Sequence, residues 1–362
     1  MMVVTKIGTS SITTGHGEID EAAVGKFCTE AAHLRALGHR IVLVTSGAIA
    51  AGLPALGYTE GNRPRDAVTL QAASAVGQTR LMRVYESALA AHGLVGGQVL
   101  LAPLDFTIRQ QYLHARSTIT RLLDLGVLPV VNENDTVATE EIRFGDNDRL
   151  AALVAHLVHA DLLVLLSDVD GLYDGNPRTA GASLIPHVRS DADLAGARIG
   201  RTGQGGVGTG GMATKLEAAR IATGAGIPTV VGRAEQVREV LRGEGSTWFA
   251  PTGKRRSTRQ LWLAHATDAH GSLVLDAGAV RAVSTRGTSL LPAGVVDVRG
   301  TFVAGDPVDL VDWAGTAIAR GLVNYDATEI PALLGRTTSE LAAALGPEYE
   351  RELVHRDDLV LL

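Results

Sequence analysis

Short apolar runs alternate with longer segments of helical periodicity through the first 250 residues of the chain. The run Ile41–Thr45 is almost continuously apolar, as expected for a strand that is covered on both faces. Asp20–Leu37 is an amphipathic segment that stops at Gly38, a residue favoured at the end of a helix. This alternation is typical of βαβ units and predicts an α/β fold with a mostly parallel sheet.

The same rhythm places the remaining elements of this fold. Further helices are predicted at Ala67–His92, Gln111–Leu125, Arg149–Ala160 and Met212–Thr223. Further strands are predicted at Val99–Leu101, Val127–Val131, Leu162–Leu166 and Pro228–Val231, after a first strand that begins at Val3. Each predicted helix therefore lies between two predicted strands, as the crossovers of a parallel sheet require.

A change of pattern near residue 250 divides the chain. Pro251–Ser257 is polar and basic and is expected to be an exposed linker. Beyond it, short apolar runs are separated by Gly, Pro and Asp, at Ser272–Leu275, Ala279–Ser284, Val295–Val298, Val308–Val311 and Trp313–Tyr325. With 362 residues and roughly 150 per domain, we expect two domains, 1–252 and a small β-rich domain at 270–362, joined by a linker at 253–269.

Composition excludes several classes of protein. No apolar run approaches the roughly 18 residues that cross a bilayer, and Lys6 interrupts the apolar N-terminus before a signal-peptide core can form. The single cysteine, Cys28, excludes an intramolecular disulfide and a cysteine-rich zinc site. We therefore expect a cytoplasmic protein that has no membrane partner.

Charge argues against nucleic acid as a general partner. The net charge is −6, and residues 271–362 carry 7 basic against 13 acidic residues, whereas residues 1–270 carry 26 of each. An acidic C-terminal region repels a phosphate backbone. The basic residues Lys254, Arg255, Arg256 and Arg259 leave RNA binding open as an alternative function.

Glycine-bearing loops next to predicted strands suit phosphate binding. In the first, Lys6–Ser10, Gly8 allows the backbone to approach a ligand closely. The amides and hydroxyls of Thr9 and Ser10 are donors for phosphate oxygens. An ordinary loop with a solvated lysine is the alternative.

Two further loops have the same character. In Thr45–Gly52 a buried strand leads into a helix start, which is an anion site unless Ser46 serves only as the N-cap. Gly203–Lys215 is too rich in glycine for regular structure and runs directly into a helix, with Lys215 in its first turn. It suits a polyphosphate, and a disordered linker is the alternative.

Two polar clusters complete the candidate chemistry. Asn132–Asp135 directly follows the predicted strand Val127–Val131, and Gly145–Asp148 directly precedes the helix predicted from Arg149. Open α/β sheets bind ligands at the carboxyl ends of their strands, although these residue types are also common in turns. Their closeness, in a sheet with three phosphate-type loops, favours a binding site.

The motifs of other nucleotide-binding folds are absent or lack the sequence context that they require. Gly206, Gly208 and Gly211 satisfy G-x-G-x-x-G, but no apolar strand precedes them, so a Rossmann site is rejected, and the chain contains no P-loop motif. His355–Asp357 imitates a protein-kinase catalytic loop but lacks the following Asn and a D-F-G motif. No metal ligand is assigned.

Taken together and in this order, the motifs resemble those of the glutamate 5-kinases of the amino acid kinase family. The segments that carry the resemblance are Lys6–Ser10, Val44–Gly52, Val131–Asp135, Gly145–Asp148 and Gly208–Lys215. Residues from about 270 onward resemble a PUA domain, most clearly at Arg286–Gly294. The resemblance covers nearly the whole chain and implies a three-layer α/β/α kinase domain followed by a PUA-like domain.

The resemblance implies an activity, ATP-dependent phosphorylation of the γ-carboxylate of L-glutamate to L-glutamyl 5-phosphate. This is the first step of proline biosynthesis, with Mg²⁺ as cofactor and proline as feedback inhibitor. The resemblance also implies a homo-oligomer, either a dimer or a tetramer. Because an acyl phosphate is labile, direct transfer of the product to glutamate-5-semialdehyde dehydrogenase is a further expectation.

The same resemblance assigns roles to residues. Lys6, Lys215 and Asp148 are the expected catalytic residues, with Asp148 organising the two lysines. Glutamate is expected to contact Ser46, Asp135 and Asn147. The residues expected to contact ATP are Lys6, Gly8, Thr9, Ser167, Asp168, Thr209, Gly210, Gly211, Met212, Ala213, Thr214 and Lys215. Two residues depart from the common pattern, Ser167 in place of Thr and Arg143 in place of Lys.

The residues support this chemistry without the resemblance. A γ-carboxylate with a pKa near ~4.3 is already ionised at neutral pH, so the nucleophile needs no general base. Phosphoryl transfer instead needs alignment and positive charge, which Lys6 and Lys215 supply if they converge. The alternative enzyme is a relative that acts on aspartate, acetylglutamate, carbamate or UMP. The PUA-like region and Asn132–Asp135 argue against it.

Overall fold

The structure is a computed structural model that describes residues 1–14, 18–106, 108–137, 147–175, 181–194, 211–252, 263 and 269–362. The chain divides into two compact units, Met1–Arg256 and Ser257–Leu362, and each contains its own hydrophobic core. The expected bounds at 252 and 270 stay predictions, because most of the intervening segment lies outside the described residues.

An eight-stranded sheet forms the centre of the first unit. Its strands are β1 (Met2–Ile7), β2 (Arg40–Val44), β3 (Gly96–Leu101), β4 (Leu128–Glu133), β5 (Leu162–Ser167), β6 (His187–Val188), β7 (Thr229–Arg233) and β8 (Ser246–Phe249). They lie in the order β3-β4-β2-β1-β5-β7-β8-β6. Every neighbouring pair is parallel except β7 and β8, which confirms the predicted mostly parallel sheet.

Helices connect these strands. Those of the described residues are α1 (Glu21–Ala36), α2 (Ala48–Gly52), α3 (Ala67–Ala90), α4 (Arg109–Asp124), α5 (Asn147–Leu157), α6 (Met212–Gly224) and α7 (Val237–Leu241). Capping explains where α1 begins and ends, because the Asp20 carboxylate accepts from the Ala23 amide and Gly38 takes a left-handed φ of 85°. All five helices predicted from periodicity are present.

Several element ends differ from the sequence prediction, among them the end of β4 and the start of α5, which carry site residues. Strand β4 runs on to Glu133, so Asn132 lies within the strand instead of after it. Helix α5 begins at Asn147 instead of near Arg149. The physical reason is tertiary, because the buried Asn147 side chain donates to the Thr45 carbonyl and thereby satisfies polar groups that a sequence pattern treats as loop.

A close helix crossing fixes the segment after β2. The α2 residue Gly52 and the α3 residue Gly77 let the two backbones approach so closely that no side chain fits between them. A Cβ atom on Gly77 would lie 1.7 Å from the Ala48 carbonyl oxygen, and one on Gly52 would lie 1.8 Å from the Ala73 carbonyl oxygen. This contact holds α2 against α3, and the Tyr85 hydroxyl of α3 donates to Thr45 Oγ1 at 2.9 Å in the segment that leads into α2.

The second unit is β-rich, as predicted. Among its described residues, the strands are β9 (Gly271–Leu275), β10 (Val295–Gly300), β11 (Pro307–Val311), β12 (Ala317–Val323) and β13 (Val354–Leu361). The helices given bounds there are α8 (Ala277–Arg286) and α9 (Thr338–Leu345). The sheet order is β10-β9-β11-β12-β13. The apolar run at Ala279–Ser284 is helical, since Asp276 caps α8 by accepting from the Ala279 amide. Within the described ranges, no helix has the length and apolar character needed to span a bilayer.

The α2–α3 crossing yields a stability prediction. Gly77→Ala places a methyl group 1.7 Å from the Ala48 carbonyl oxygen, so α2 and α3 must separate. We therefore expect the free energy of unfolding to fall by about 3 kcal/mol. Gly25→Ala, in α1, is the matched control, because a Cβ there meets nothing within 4 Å. It should stabilise the protein by about 0.5–1 kcal/mol. Urea unfolding measures both, and equal stabilities for the two variants would contradict the close approach.

Candidate active site

The site lies at one edge of the first unit's sheet. Since β1, β2, β4 and β5 are parallel, their carboxyl ends meet there, and ligands of open α/β sheets bind at this edge. The segments that follow these strands are the ones singled out by sequence, beginning at Gly8, Thr45, Asn134 and Asp168. Topology thus brings together loops that are far apart in the chain.

At its centre, one buried carboxylate pairs with two lysines. Lys6 Nζ, from the carboxyl half of β1, lies 2.6 Å from Asp148 Oδ1. Lys215 Nζ, from the first turn of α6, lies 3.0 Å from Asp148 Oδ2. The Asp148 side chain is fully buried, and the two lysine side chains are only 3% and 7% exposed. The structure therefore brings the three predicted catalytic residues into one cluster.

The charges of this cluster decide its protonation. Burial by itself raises the pKa of Asp148, but the ammonium groups of Lys6 and Lys215 outweigh it and hold that pKa well below its usual value. Asp148 is therefore ionised at neutral pH. The three groups together carry one net positive charge, in a place from which water is largely excluded, so the cluster suits an anionic ligand.

Neighbouring contacts fix the position of Lys215. The Thr214 hydroxyl lies 2.8 Å from the Gly211 carbonyl oxygen, while the Gly211 amide donates to Thr214 Oγ1 at the start of α6. Between the helices, Arg149 on α5 pairs with Glu217 on α6, with 2.6 Å between Nη2 and Oε1. Because α5 carries Asp148 and α6 carries Lys215, this pair helps to hold the lysine at the carboxylate.

Ser46 does not cap α2. The residue that precedes this helix is Gly47, with a φ of 90°, and no side chain accepts from the first amides of the helix. The Ser46 hydroxyl instead donates to the Ile7 carbonyl at 3.1 Å and accepts from the Thr9 hydroxyl at 3.1 Å. The alternative that Ser46 is only an N-cap is therefore wrong, and the loops after β1 and β2 are bonded to each other.

A chain of side-chain amides connects Asn147 to α3. Asn147 Nδ2 donates to the Thr45 carbonyl and, at 2.6 Å, to Asn132 Oδ1. Asn132 Nδ2 in turn donates to Gln78 Oε1 at 2.7 Å. All three amide residues are buried.

The same face of α3 also reaches Asp135. The Ser74 hydroxyl, one helical turn before Gln78, donates to Asp135 Oδ2 at 2.7 Å. Neither Ser74 nor Gln78 is predicted from the sequence to lie next to the candidate site. They lie on an amphipathic helix about sixty positions before their partners, and their only signal is that they are polar residues on its buried face.

The expected nucleotide residues lie in several places. Ser167 ends β5, is buried, and donates to the exposed Asp168 carboxylate at 3.0 Å. Next to them, Asp170 pairs with Arg233 at 3.0 Å and accepts from the Tyr173 hydroxyl, and although partial burial raises the pKa of Asp170, the bond from Arg233 lowers it overall.

Part of the expected site falls outside the described residues. This applies to Thr209 and Gly210 of the glycine-rich loop, to Gly145 and Asp146 of the second polar cluster, and to Arg143. Gly211, Met212, Ala213 and Thr214 are described and lead into α6 or form its first turn. The roles assigned to all these residues stay predictions.

The cluster yields a prediction for stability and its pH dependence. Asp148→Asn leaves two buried ammonium groups without their counter-charge, so the free energy of unfolding near neutral pH should fall by about 3 kcal/mol or more. In the folded protein the pKa of Asp148 lies below its usual value of 3.8. The stabilisation is therefore complete above the pKa of Asp148 in the unfolded protein, and it is lost as the pH falls toward the pKa of Asp148 in the folded protein. The difference in free energy of unfolding between wild type and Asp148→Asn should therefore decrease by about 1 kcal/mol between about pH 5 and pH 3.

Urea unfolding at several pH values measures this difference. Asp124→Asn is the control, because Asp124 pairs with Arg40 at the surface with both side chains about half exposed. Its effect should stay below about 1 kcal/mol. An advantage of wild type over Asp148→Asn that grows toward acid pH would contradict the ionised cluster.

Comparison with known proteins agrees with this architecture. The model of the amino acid kinase family matches residues 1–233, and that of the PUA domain matches residues 271–345. Among solved structures, the carbamate kinase from Giardia lamblia bound to AMP-PNP superposes with a TM-score of 0.51 and 18% identity, covering 69% of this chain and 98% of its own. That identity supports a shared fold and nothing finer.

Close relatives match almost the whole chain. A glutamate 5-kinase of Salinispora arenicola is 58% identical over 361 residues, which is 99% of this chain and 97% of the relative. Glutamate 5-kinases of Frankia casuarinae and Streptomyces avermitilis are each 57% identical, over 99% of this chain and 96% of theirs. The chain therefore belongs to the amino acid kinase family and carries a PUA domain after its kinase domain.

Proposed function

We propose that this enzyme is a glutamate 5-kinase, which transfers the γ-phosphoryl group of ATP to the γ-carboxylate of L-glutamate and so begins proline biosynthesis. The observation that carries the proposal is the buried Lys6–Asp148–Lys215 cluster at the carboxyl edge of the sheet. The choice of glutamate is supported by relatives of that name that are 57–58% identical over nearly the full chain.

The two lysines are suited to act on the transferred phosphoryl group. Phosphoryl transfer requires in-line alignment and stabilisation of charge on the phosphate oxygens, more than covalent help from the protein. An oxygen of the γ-carboxylate attacks the γ-phosphorus, the bond to the β–γ bridging oxygen breaks, and ADP leaves. Lys6 and Lys215 stabilise the transferring group, while ionised Asp148 holds both ammonium groups in place before ATP arrives.

Glutamate is recognised by the polar groups next to this cluster. The Asp135 carboxylate suits the α-ammonium group, and the amide of Asn147 and the hydroxyl of Ser46 suit carboxylate oxygens. Asn147 precedes Asp148 in the first turn of α5, so the glutamate site and the lysine cluster share one helix start.

ATP is proposed to lie along the loops after β1 and β5 and at the start of α6. Its contacts would come from Lys6, Gly8, Thr9, Ser167, Asp168 and the segment 209–215. A Cβ on Gly8 would lie 3.8 Å from Lys6 Nζ, so glycine keeps the approach to that ammonium group open.

Mg²⁺ is part of the proposal, and its ligands would come largely from ATP. Among the described residues, no group of three or more His, Cys, Asp or Glu side chains is arranged to hold a metal ion. In kinases Mg²⁺ is held by one or two carboxylates together with phosphate oxygens, and the exposed carboxylate of Asp168 at the end of β5 fits that requirement. The ion neutralises charge on the β- and γ-phosphates when it is bound.

Further parts of the proposal concern regulation and assembly. We propose that proline inhibits the enzyme, that the chain forms a dimer or tetramer, and that it works in the cytoplasm. We also propose that L-glutamyl 5-phosphate passes to glutamate-5-semialdehyde dehydrogenase, because an acyl phosphate hydrolyses readily when it is released to water.

Trapping of the acyl phosphate tests the proposed function. The enzyme is incubated with ATP, Mg²⁺ and L-glutamate in hydroxylamine, with and without proline, and the hydroxamate is measured. ADP release is followed in parallel with aspartate, acetylglutamate, carbamate and UMP. We expect glutamate hydroxamate, suppressed by proline. Turnover confined to another acceptor would leave the fold intact and overturn the substrate.

Lys6→Ala should impair chemistry far more than binding. Loss of a donor that acts on the transferring group costs about 10²–10³-fold in kcat, and we expect the KM for glutamate to change less than about threefold. The variant keeps the Lys215–Asp148 pair, and Lys26→Ala removes an exposed lysine of α1 as the control. Steady-state hydroxamate formation measures both constants, and a normal kcat with only a raised KM would refute the transition-state role of Lys6.

Asp135→Ala should impair binding of the amino acid. Removal of the carboxylate that pairs with the α-ammonium group should raise the KM for glutamate about 10- to 100-fold, while the KM for ATP stays within about threefold. Asp124→Ala, at the surface pair with Arg40, is the control. The same assay measures these constants, and an unchanged KM for glutamate would exclude Asp135 from the substrate site.

A further inference from the structure

The hydrogen-bonding direction of the buried amide chain is fixed at one end. The Thr45 carbonyl only accepts hydrogen bonds, so the Asn147 group that faces it must be the NH₂. That NH₂ also donates to Asn132, which must therefore present its oxygen to Asn147 and its own NH₂ to the next amide. Gln78 in consequence accepts with its oxygen, and its NH₂ is left at the far end of the chain.

The NH₂ group of Gln78 has no hydrogen-bond acceptor among the described residues. Within the described part of the chain, Gln78 is only 8% exposed, and its Nε2 atom is buried and makes no hydrogen bond. A buried donor without an acceptor is costly, and folded proteins rarely keep one unless a ligand or water satisfies it. The amide cannot relieve this cost by turning over, because its NH₂ would then face the NH₂ of Asn132.

The position of Gln78 indicates which ligand would satisfy it. Ser74 and Gln78 lie four residues apart on the same face of α3, and Ser74 donates to Asp135, the proposed partner of the substrate α-ammonium group. Gln78 is joined through Asn132 to Asn147, which adjoins the lysine cluster in sequence. The free NH₂ thus belongs to the shell of side chains around the amino-acid site.

We propose that Gln78 Nε2 donates a hydrogen bond to the α-carboxylate of the amino-acid substrate and that Gln78 is a specificity-determining residue. An NH₂ group repels an ammonium group and needs an acceptor, and the substrate offers acceptors only in its two carboxylates. The γ-carboxylate must face the phosphoryl group at Lys6 and Lys215. The α-carboxylate shares a carbon atom with the ammonium group at Asp135 and is therefore the carboxylate near Gln78. This inference rests on the proposed function.

Two substitutions at Gln78 separate binding from a structural role. Gln78→Met removes the donor and also the oxygen that accepts from Asn132. Gln78→Glu keeps an oxygen for Asn132 and, above neutral pH, directs a negative charge at the α-carboxylate. If Gln78 binds substrate, Gln78→Glu has the higher KM for glutamate of the two variants. If Gln78 only supports Asn132, Gln78→Glu has the lower KM.

The kinetic constants of both variants are measured by hydroxamate formation at about pH 8, beside wild type and Gln98→Met. This control makes the same chemical change at an exposed glutamine of β3. We expect the KM for glutamate to rise about 10- to 100-fold in Gln78→Met and further in Gln78→Glu. The KM for ATP should stay within about threefold in both variants, and thermal unfolding confirms that each is folded.

The outcomes distinguish failure of the inference from failure of the proposed function. Two results would overturn the inference and leave the proposed function standing, provided that wild type phosphorylates glutamate. In the first, both variants have the wild-type KM for glutamate. In the second, the KM of Gln78→Glu is closer to the wild-type value than that of Gln78→Met. If wild type gives no glutamate hydroxamate, the proposed function fails, and with it the assignment of the α-carboxylate.

Discussion

The first unit depends on one interaction, the pairing of the buried Asp148 carboxylate with Lys6 and Lys215. The three charges come from β1, α5 and α6, and each would be expensive to bury alone. Their mutual contact makes burial tolerable only when strand and helices are correctly placed. The same contact leaves one net positive charge at the carboxyl edge of the sheet, where a phosphate would lie. Fold and proposed chemistry therefore rest on the same atoms.

A second network, uncharged, serves the other end of the proposed substrate. The chain from Thr45 through Asn147 and Asn132 to Gln78 connects the segment after β2, the start of α5 and the end of β4 to α3. The Gly52–Gly77 crossing brings α2 and α3 close together beside it. In the proposed substrate complex, charge surrounds the reacting carboxylate, while amides and the Asp135 carboxylate surround the α-carbon. This separation would let one site orient a substrate that carries two carboxylates.

The sequence predicted the order of elements well, because buried parallel strands such as Ile41–Val44 are continuous apolar runs and capping residues mark the ends of helices. It misplaced the start of α5 and the end of β4, where buried hydrogen bonds of Asn147 and Asn132 extend regular structure into polar residues. It omitted the edge strand β6 and its neighbour β8, which are short and carry little apolar signal. Gln78 was beyond sequence reasoning, because periodicity shows that it is buried but not what it faces.

In the proposed mechanism, Lys6 and Lys215 act as one unit held by Asp148. Rapid-quench measurement of acyl phosphate formation in a single turnover tests it, with Lys6→Ala, Lys215→Ala and the double variant compared with wild type. For residues that act as a unit the losses are far from additive, so the double variant should be slower than the slower single variant by less than about tenfold. Losses that multiply in full would show that the two lysines act independently and would contradict the proposed unit of Lys6, Asp148 and Lys215.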